Sequence, residues 1–122
     1  MNTMQDIFTK VATHLLTQNE KSMGEFPHIE GLGCAYRGEN GKMCAVGCLI
    51  KDEFYDPSFE NETVESDSVI SALEQSLGRE ITLEEVSLLE ELQGVHDKSD
   101  PKYWIHGLTT WAQNYGLEMP TT

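Results

Sequence analysis

One segment, residues 34–50, constrains the fold more than any other. Its seventeen positions hold all three cysteines, Gly38, Gly41 and Gly47, an Asn40-Gly41 step and Arg37, one of only two arginines. Two short arms, 34–37 and 42–45, flank Gly38-Glu39-Asn40-Gly41. Asn-Gly suits a turn that needs positive φ, so the pattern predicts an antiparallel β-hairpin. Beyond it, Ala45-Val46-Gly47-Cys48-Leu49-Ile50 turns apolar. The reading is strand as far as Cys44 and helix after it, with Cys44 and Cys48 on one face at i, i+4. Gly47 costs a helix about 1 kcal/mol relative to alanine but lets another element approach closely.

Helical signals surround this segment. Met4, Ile7, Phe8, Val11, Ala12, Leu15 and Leu16 recur at spacings of three and four, predicting a helix over 3–19 capped by Thr3. Residues 22–33 read as irregular. Ser66 or Asp67 caps a helix carrying Val69, Ile70, Leu73 and Leu77 and stopped by Gly78. Thr82-Leu83-Glu84-Glu85 matches a capping box, with Ile81 and Val86 placed as a hydrophobic staple and Val86, Leu89 and Leu92 as the stripe. Asp100 and Pro101 open a last helix whose expected buried stripe is Trp104, Ile105, Leu108, Trp111, Ala112 and Tyr115, closed by Gly116. The expectation is an α+β fold: a helix-rich single domain over 1–122, four or five helices around a small antiparallel hairpin. A length of 122 residues suits one core.

Charge narrows the function classes. Net charge is −13, with 21 acids against 8 lysines and arginines. From Asp52 to Glu91 there are 13 acids and one base, Arg79. Such a surface repels phosphate backbones and anionic lipid, so neither direct nucleic-acid binding nor a membrane partner is expected. No apolar run reaches the roughly 18 residues that cross a bilayer. The first residues lack a basic region followed by an apolar stretch, so no secretory signal is read there. Three cysteines cannot all pair within one chain, which points to a reducing cytoplasm.

Four constellations carry possible chemistry. Cys34, Cys44 and Cys48 with His96 would make a Cys3His zinc set, though the spacing fits no common finger. Cys34 or Cys44 with His96 and Asp97 would make a thiol triad, but helix neighbours point about 100 degrees apart and acidic surroundings raise a thiol. Tyr36, Arg37 and Lys42 lie in the one locally basic, glycine-rich region and would stack and pair with a nucleotide-like signal; on that reading Arg37→Ala abolishes binding and leaves folding intact. The acids Asp52, Glu53, Asp56, Glu60, Glu84, Glu85 and Glu91 form exposed faces over 52–67 and 80–91, suited to a basic protein surface. No cofactor and no catalytic residue is expected.

The segments Cys34-x-Tyr36-Arg37-Gly38, Gly41-x-x-Cys44-Ala45-Val46-Gly47-Cys48-Leu49-Ile50 and Asp52-Glu53-x-Tyr55 resemble a family of small bacteriophage and prophage proteins. Leu92-Gln93-Gly94-Val95-His96-Asp97 and the tryptophan-bearing last helix fit the same pattern. Lys51 stands where the family pattern has proline. The resemblance implies an accessory protein of the bacterial cytoplasm and carries no activity with it. The expected function is therefore non-catalytic: binding a host protein through the acidic faces and inhibiting or redirecting it, as in counter-defence. The competing readings are a small-ligand sponge on 34–50 and a structural zinc module. A homo-oligomer is compatible with either.

Overall fold

The computed structural model describes residues 3–25 and 32–120. Helix α1 spans Met4–Gln18, and the Thr3 hydroxyl accepts from the Asp6 amide at 3.1 Å, as the cap signal predicts. Its buried face is Ile7, Phe8, Val11, Ala12 and Leu15. Asn19 ends it in the left-handed region, donating to the Leu15 carbonyl at 2.8 Å. Two three-residue strands follow, β1 (Met23–Glu25) and β2 (Leu32–Cys34), paired antiparallel with Gly24 opposite Gly33.

Helix α2 (Asp67–Leu77) follows Ser66, whose hydroxyl donates to the Glu62 carboxylate, leaving the helix end without a side-chain cap. Helix α3 (Leu83–Lys98) opens on the complete capping box: Glu85 N–H donates to the Thr82 hydroxyl at 3.1 Å and Thr82 N–H to the Glu85 carboxylate at 3.0 Å. Helix α4 (Trp104–Tyr115) starts later than expected. Pro101–Tyr103 form a separate 3-10 turn, and Asp100 makes no side-chain cap.

The α+β expectation is overturned. Four α-helices make up the frame among the described residues, and the fold is nearly all helical. The predicted hairpin does not form. Between its arms there is one antiparallel bridge, Arg37 to Met43, and its tip, Glu39–Gly41, is a 3-10 turn. Asn40 and Gly41 do take positive φ, 59° and 76°. The ladder fails because distant side chains hold the amides a partner strand would need. The Glu60 carboxylate accepts from the Tyr36 and Arg37 amides at 2.8 and 3.1 Å, and Gln18 Oε1 accepts from the Met43 amide at 3.0 Å.

The helix expected after Cys44 is also absent. One i→i−4 bond, Cys48 N–H to Cys44 carbonyl at 3.1 Å, gives way to a 3-10 turn over Gly47–Leu49. Gly47 makes that geometry possible. A Cβ built there would lie 2.3 Å from the Tyr36 carbonyl oxygen, so the two backbones touch where a side chain would stand.

The core gathers Phe8 and Leu15 of α1, Val46 and Leu49 of the ribbon, Leu73 of α2, Leu88, Leu89 and Leu92 of α3, and Trp104 and Leu108 of α4. Each fully buried side chain of this size contributes about 1.5–3 kcal/mol. Trp104 is wholly buried, its indole N–H donating to the Ser99 carbonyl at 3.0 Å. Ile105, placed on the buried stripe by its spacing, is instead 51% exposed. Gly107 lets α4 approach α3, since a Cβ there would sit 3.0 Å from a Val95 methyl carbon. Gly94 has no such neighbour: a Cβ there would meet nothing within 4 Å, although glycine costs a helix interior about 0.5–1 kcal/mol. Gln5 closes the molecule, donating to the Glu118 carbonyl at 2.9 Å and accepting from its amide at 2.8 Å.

Candidate functional site

Arg37 is a backbone clamp. Its guanidinium donates to the Gly47 carbonyl at 2.7 Å, the Ile50 carbonyl at 2.6 Å and the Tyr36 carbonyl at 3.4 Å, and pairs with Asp52 at 3.1 Å. It also lies 4.7 Å from the centroid of the Tyr55 ring. The planar fork gathers carbonyls that the 47–50 turn brings together; that of Gly47 also accepts from the Ile50 amide at 3.2 Å. Tyr36 is buried, and its hydroxyl donates to the Glu62 carbonyl at 2.7 Å. Lys42 pairs with Glu20 at 3.2 Å. The three residues suggested for a ligand do not converge. Tyr36 lines a cavity against α3, whereas Lys42 lines a separate open groove of about 1040 Å3 beside α1, with Lys10 and His14.

Among the described side chains, Cys44, Cys48 and His96 do not assemble a nucleophile. Ser22 N–H donates to His96 Nε2 at 2.9 Å, which makes that nitrogen an acceptor and places the ring proton on Nδ1. Nδ1 lies 2.7 Å from Asp97 Oδ1. Although helix neighbours leave the axis about 100 degrees apart, these two side chains meet. His96 is wholly buried and stacks on Trp104, ring centroids 5.4 Å apart. Cys44 Sγ accepts from the Gly47 amide at 3.3 Å, and the Cys48 thiol donates to the Ala45 carbonyl at 3.1 Å. Burial pushes both thiols up to about 12. The Cys34 side chain lies outside the described residues. Among the described residues, no group of three or more His, Cys, Asp or Glu is arranged to hold a metal ion.

The predicted acids divide into inward and outward sets. Glu60 is an internal latch: besides the two amides, it accepts from the Tyr55 hydroxyl, and burial together with this carboxylate raises the Tyr55 phenol. Glu85 is 4% exposed and takes two bonds from the Arg79 guanidinium, 2.9 and 2.7 Å, which hold its carboxyl below the usual range. Neither carboxylate is presented to a partner. Asp52, Glu53 and Asp56 are exposed on the 3-10 turns before α2. The Ser58 amide, donating at 2.9 Å, lowers Asp56.

Glu84 and Glu91 lie along α3 near two acids of the expected 52–67 and 80–91 faces that were not singled out there, Glu65 and Glu90. A hydrogen bond with the Glu65 carboxyl, helped by desolvation and by the charges of Glu65 and Glu91, raises Glu90. Desolvation, then the charges of Glu91, Glu84 and Glu90, raises the Tyr115 phenol. Among the described residues, none of Glu65, Glu84, Glu90 and Glu91 forms an ion pair. Glu65 precedes α2 in the chain, so no local spacing ties it to Glu90. No known protein family, curated protein or solved structure matches this chain. No helix among the described residues is long and apolar enough to cross a membrane.

Proposed function

We propose that this chain is a non-catalytic binding domain that docks its α3 acidic face on a basic surface of a host protein and thereby inhibits or redirects it, the role of a phage-type accessory protein in a bacterial cell. One observation carries the reading. Glu65 and Glu91 crowd Glu90 closely enough to raise its carboxyl, Glu84 and Glu91 act with it on the Tyr115 phenol, and none of the four acids forms an ion pair among the described residues. Like charges so placed weaken the isolated fold, and a basic partner relieves the repulsion on binding. Solubility needs only dispersed charge, whereas this charge is gathered on one face. The inward engagement of Arg37, Tyr36 and His96 leaves the 34–50 ribbon as the scaffold behind that face.

Capture from bacterial lysate tests the reading when the wild-type chain is run beside Glu84→Lys/Glu91→Lys at low and high salt. The expected result is a protein retained at low salt by the wild type and lost both at high salt and from the charge-reversed chain. Equal retention under any of these comparisons overturns it.

A further inference from the structure

A cavity of about 300 Å3 opens between the 35–44 ribbon, the 60–64 turn and α3. Its buried lining is apolar or soft: Tyr36, Cys44 and Val64 are each at most 6% exposed. Its mouth is acidic, with exposed Glu62 and Glu90 and half-buried Asp97. Asp97 is fixed in place through one oxygen, Oδ1, which meets His96 Nδ1 at 2.7 Å and accepts from Gln93 Nε2 at 3.0 Å. No described residue donates to its other oxygen. Gly94 lines the same cavity, at the position where a Cβ would meet nothing within 4 Å. Packing does not require this glycine, and it weakens the helix that carries it. What its missing side chain does is keep the cavity open.

We infer that this cavity receives the side chain of an arginine from the basic partner, its aliphatic stem against Tyr36, Cys44 and Val64 and its guanidinium at Asp97, Glu62 and Glu90. The inference rests on the docking reading and adds the anchor that reading lacks. A flat acidic face attracts any cation, whereas a slot with an apolar floor and a pre-set carboxylate selects a long stem ending in a planar donor fork. The volume stands at the lower end of ligand pockets, fitting one side chain in place of a whole cofactor. Lys98 is the one cation of the lining. Its charge opposes an arginine guest, so its removal gives a sign test.

Amide NMR titration with N-acetyl-arginine amide provides the measurement. Saturable shifts at Thr63 and Gly94 are expected at about millimolar probe, with none from the uncharged citrulline analogue. Gly94→Ala and Gly94→Leu are expected to melt at or above the wild-type temperature while weakening the probe, the leucine variant by at least about tenfold. Lys98→Ala is expected to tighten it. No saturable shift in the wild type, an equal response to citrulline, unchanged affinity in a folded Gly94→Leu, or weaker binding in Lys98→Ala each overturns the pocket. Probe binding that persists while lysate capture fails preserves the pocket and removes the docking reading. Capture that is lost with Glu84→Lys/Glu91→Lys but indifferent to Gly94→Leu does the reverse.

Discussion

Arg79 and Glu85 are joined by two parallel hydrogen bonds, 2.9 and 2.7 Å, that fasten the α2–α3 connection to the cap of α3. The same carboxylate accepts from the Thr82 amide, so one side chain serves three donors. Glu85→Ala is expected to cost about 2 kcal/mol or more at neutral pH, since it removes a charge-assisted pair and half of a capping box. Because folding lowers the carboxyl pKa, this stability is present above the unfolded glutamate value and is lost as pH falls through the folded one. Urea unfolding of wild type and variant should converge in acid; a constant difference across pH contradicts the assignment.

Glu90 carries the opposite sign. Its carboxyl is raised in the fold, so its favourable contribution is present below the unfolded glutamate value and disappears as pH rises through the folded one. Glu90→Gln should therefore stabilise the chain at neutral pH by no more than a few tenths of a kcal/mol, given its exposure. The gain should shrink in high salt and vanish in acid. Destabilisation by this substitution at neutral pH would show that the Glu65–Glu90 contact is not repulsive there.

Arg37→Ala separates a clamp from a ligand contact. Three backbone carbonyls, those of Tyr36, Gly47 and Ile50, lose their side-chain donor. The expected loss is about 2–4 kcal/mol, with faster hydrogen exchange across 47–50. Arg37→Lys should recover little, because an ammonium cannot span the converging carbonyls. An unchanged urea midpoint in Arg37→Ala would restore the reading of this residue as a free ligand contact.

Gly47→Ala tests the backbone contact on Tyr36. With the carbonyl oxygen 2.3 Å and the carbonyl carbon 3.0 Å from the added Cβ, the ribbon must shift. A loss of about 2 kcal/mol or more is expected by denaturant titration. A neutral outcome would mean that the two backbones are not in contact.

Cys44 and Cys48 should resist alkylation in the folded protein. Both thiols are pushed up to about 12 by burial, leaving little thiolate at neutral pH. Peptide mass mapping after iodoacetamide treatment should find these two sites labelled only on denaturation. Rapid native labelling of Cys44 would contradict its burial.

Local signals carried much of the helical frame. Thr3 and the Thr82–Glu85 box act within one turn of their own helix, and the structure shows both bonds. The capping box already implied an internal role for Glu85, in tension with its reading as a contact residue. The 34–50 ribbon was not legible, because Gln18, Glu60 and Gln93 hold its amides from positions 24 to 47 residues away, where no spacing rule operates. The turn at Asn40-Gly41 was legible because positive φ is a property of those residues themselves. Helical period placed Glu84 and Glu91 outward, while the influence of Glu65 on Glu90 comes from 25 residues earlier in the chain and only through the fold.

The imidazole of His96 has one edge on the Ser22 amide and one face on the Trp104 indole. It thus rivets the loop after the first helix to the start of the last one. A cut between residues 22 and 96 parts the Ser22 amide from the imidazole, so each isolated piece is left with a raw polar seat where that bond stood. The two pieces should regain native near-ultraviolet circular dichroism only when mixed, making the indole signal a direct readout of reassembly.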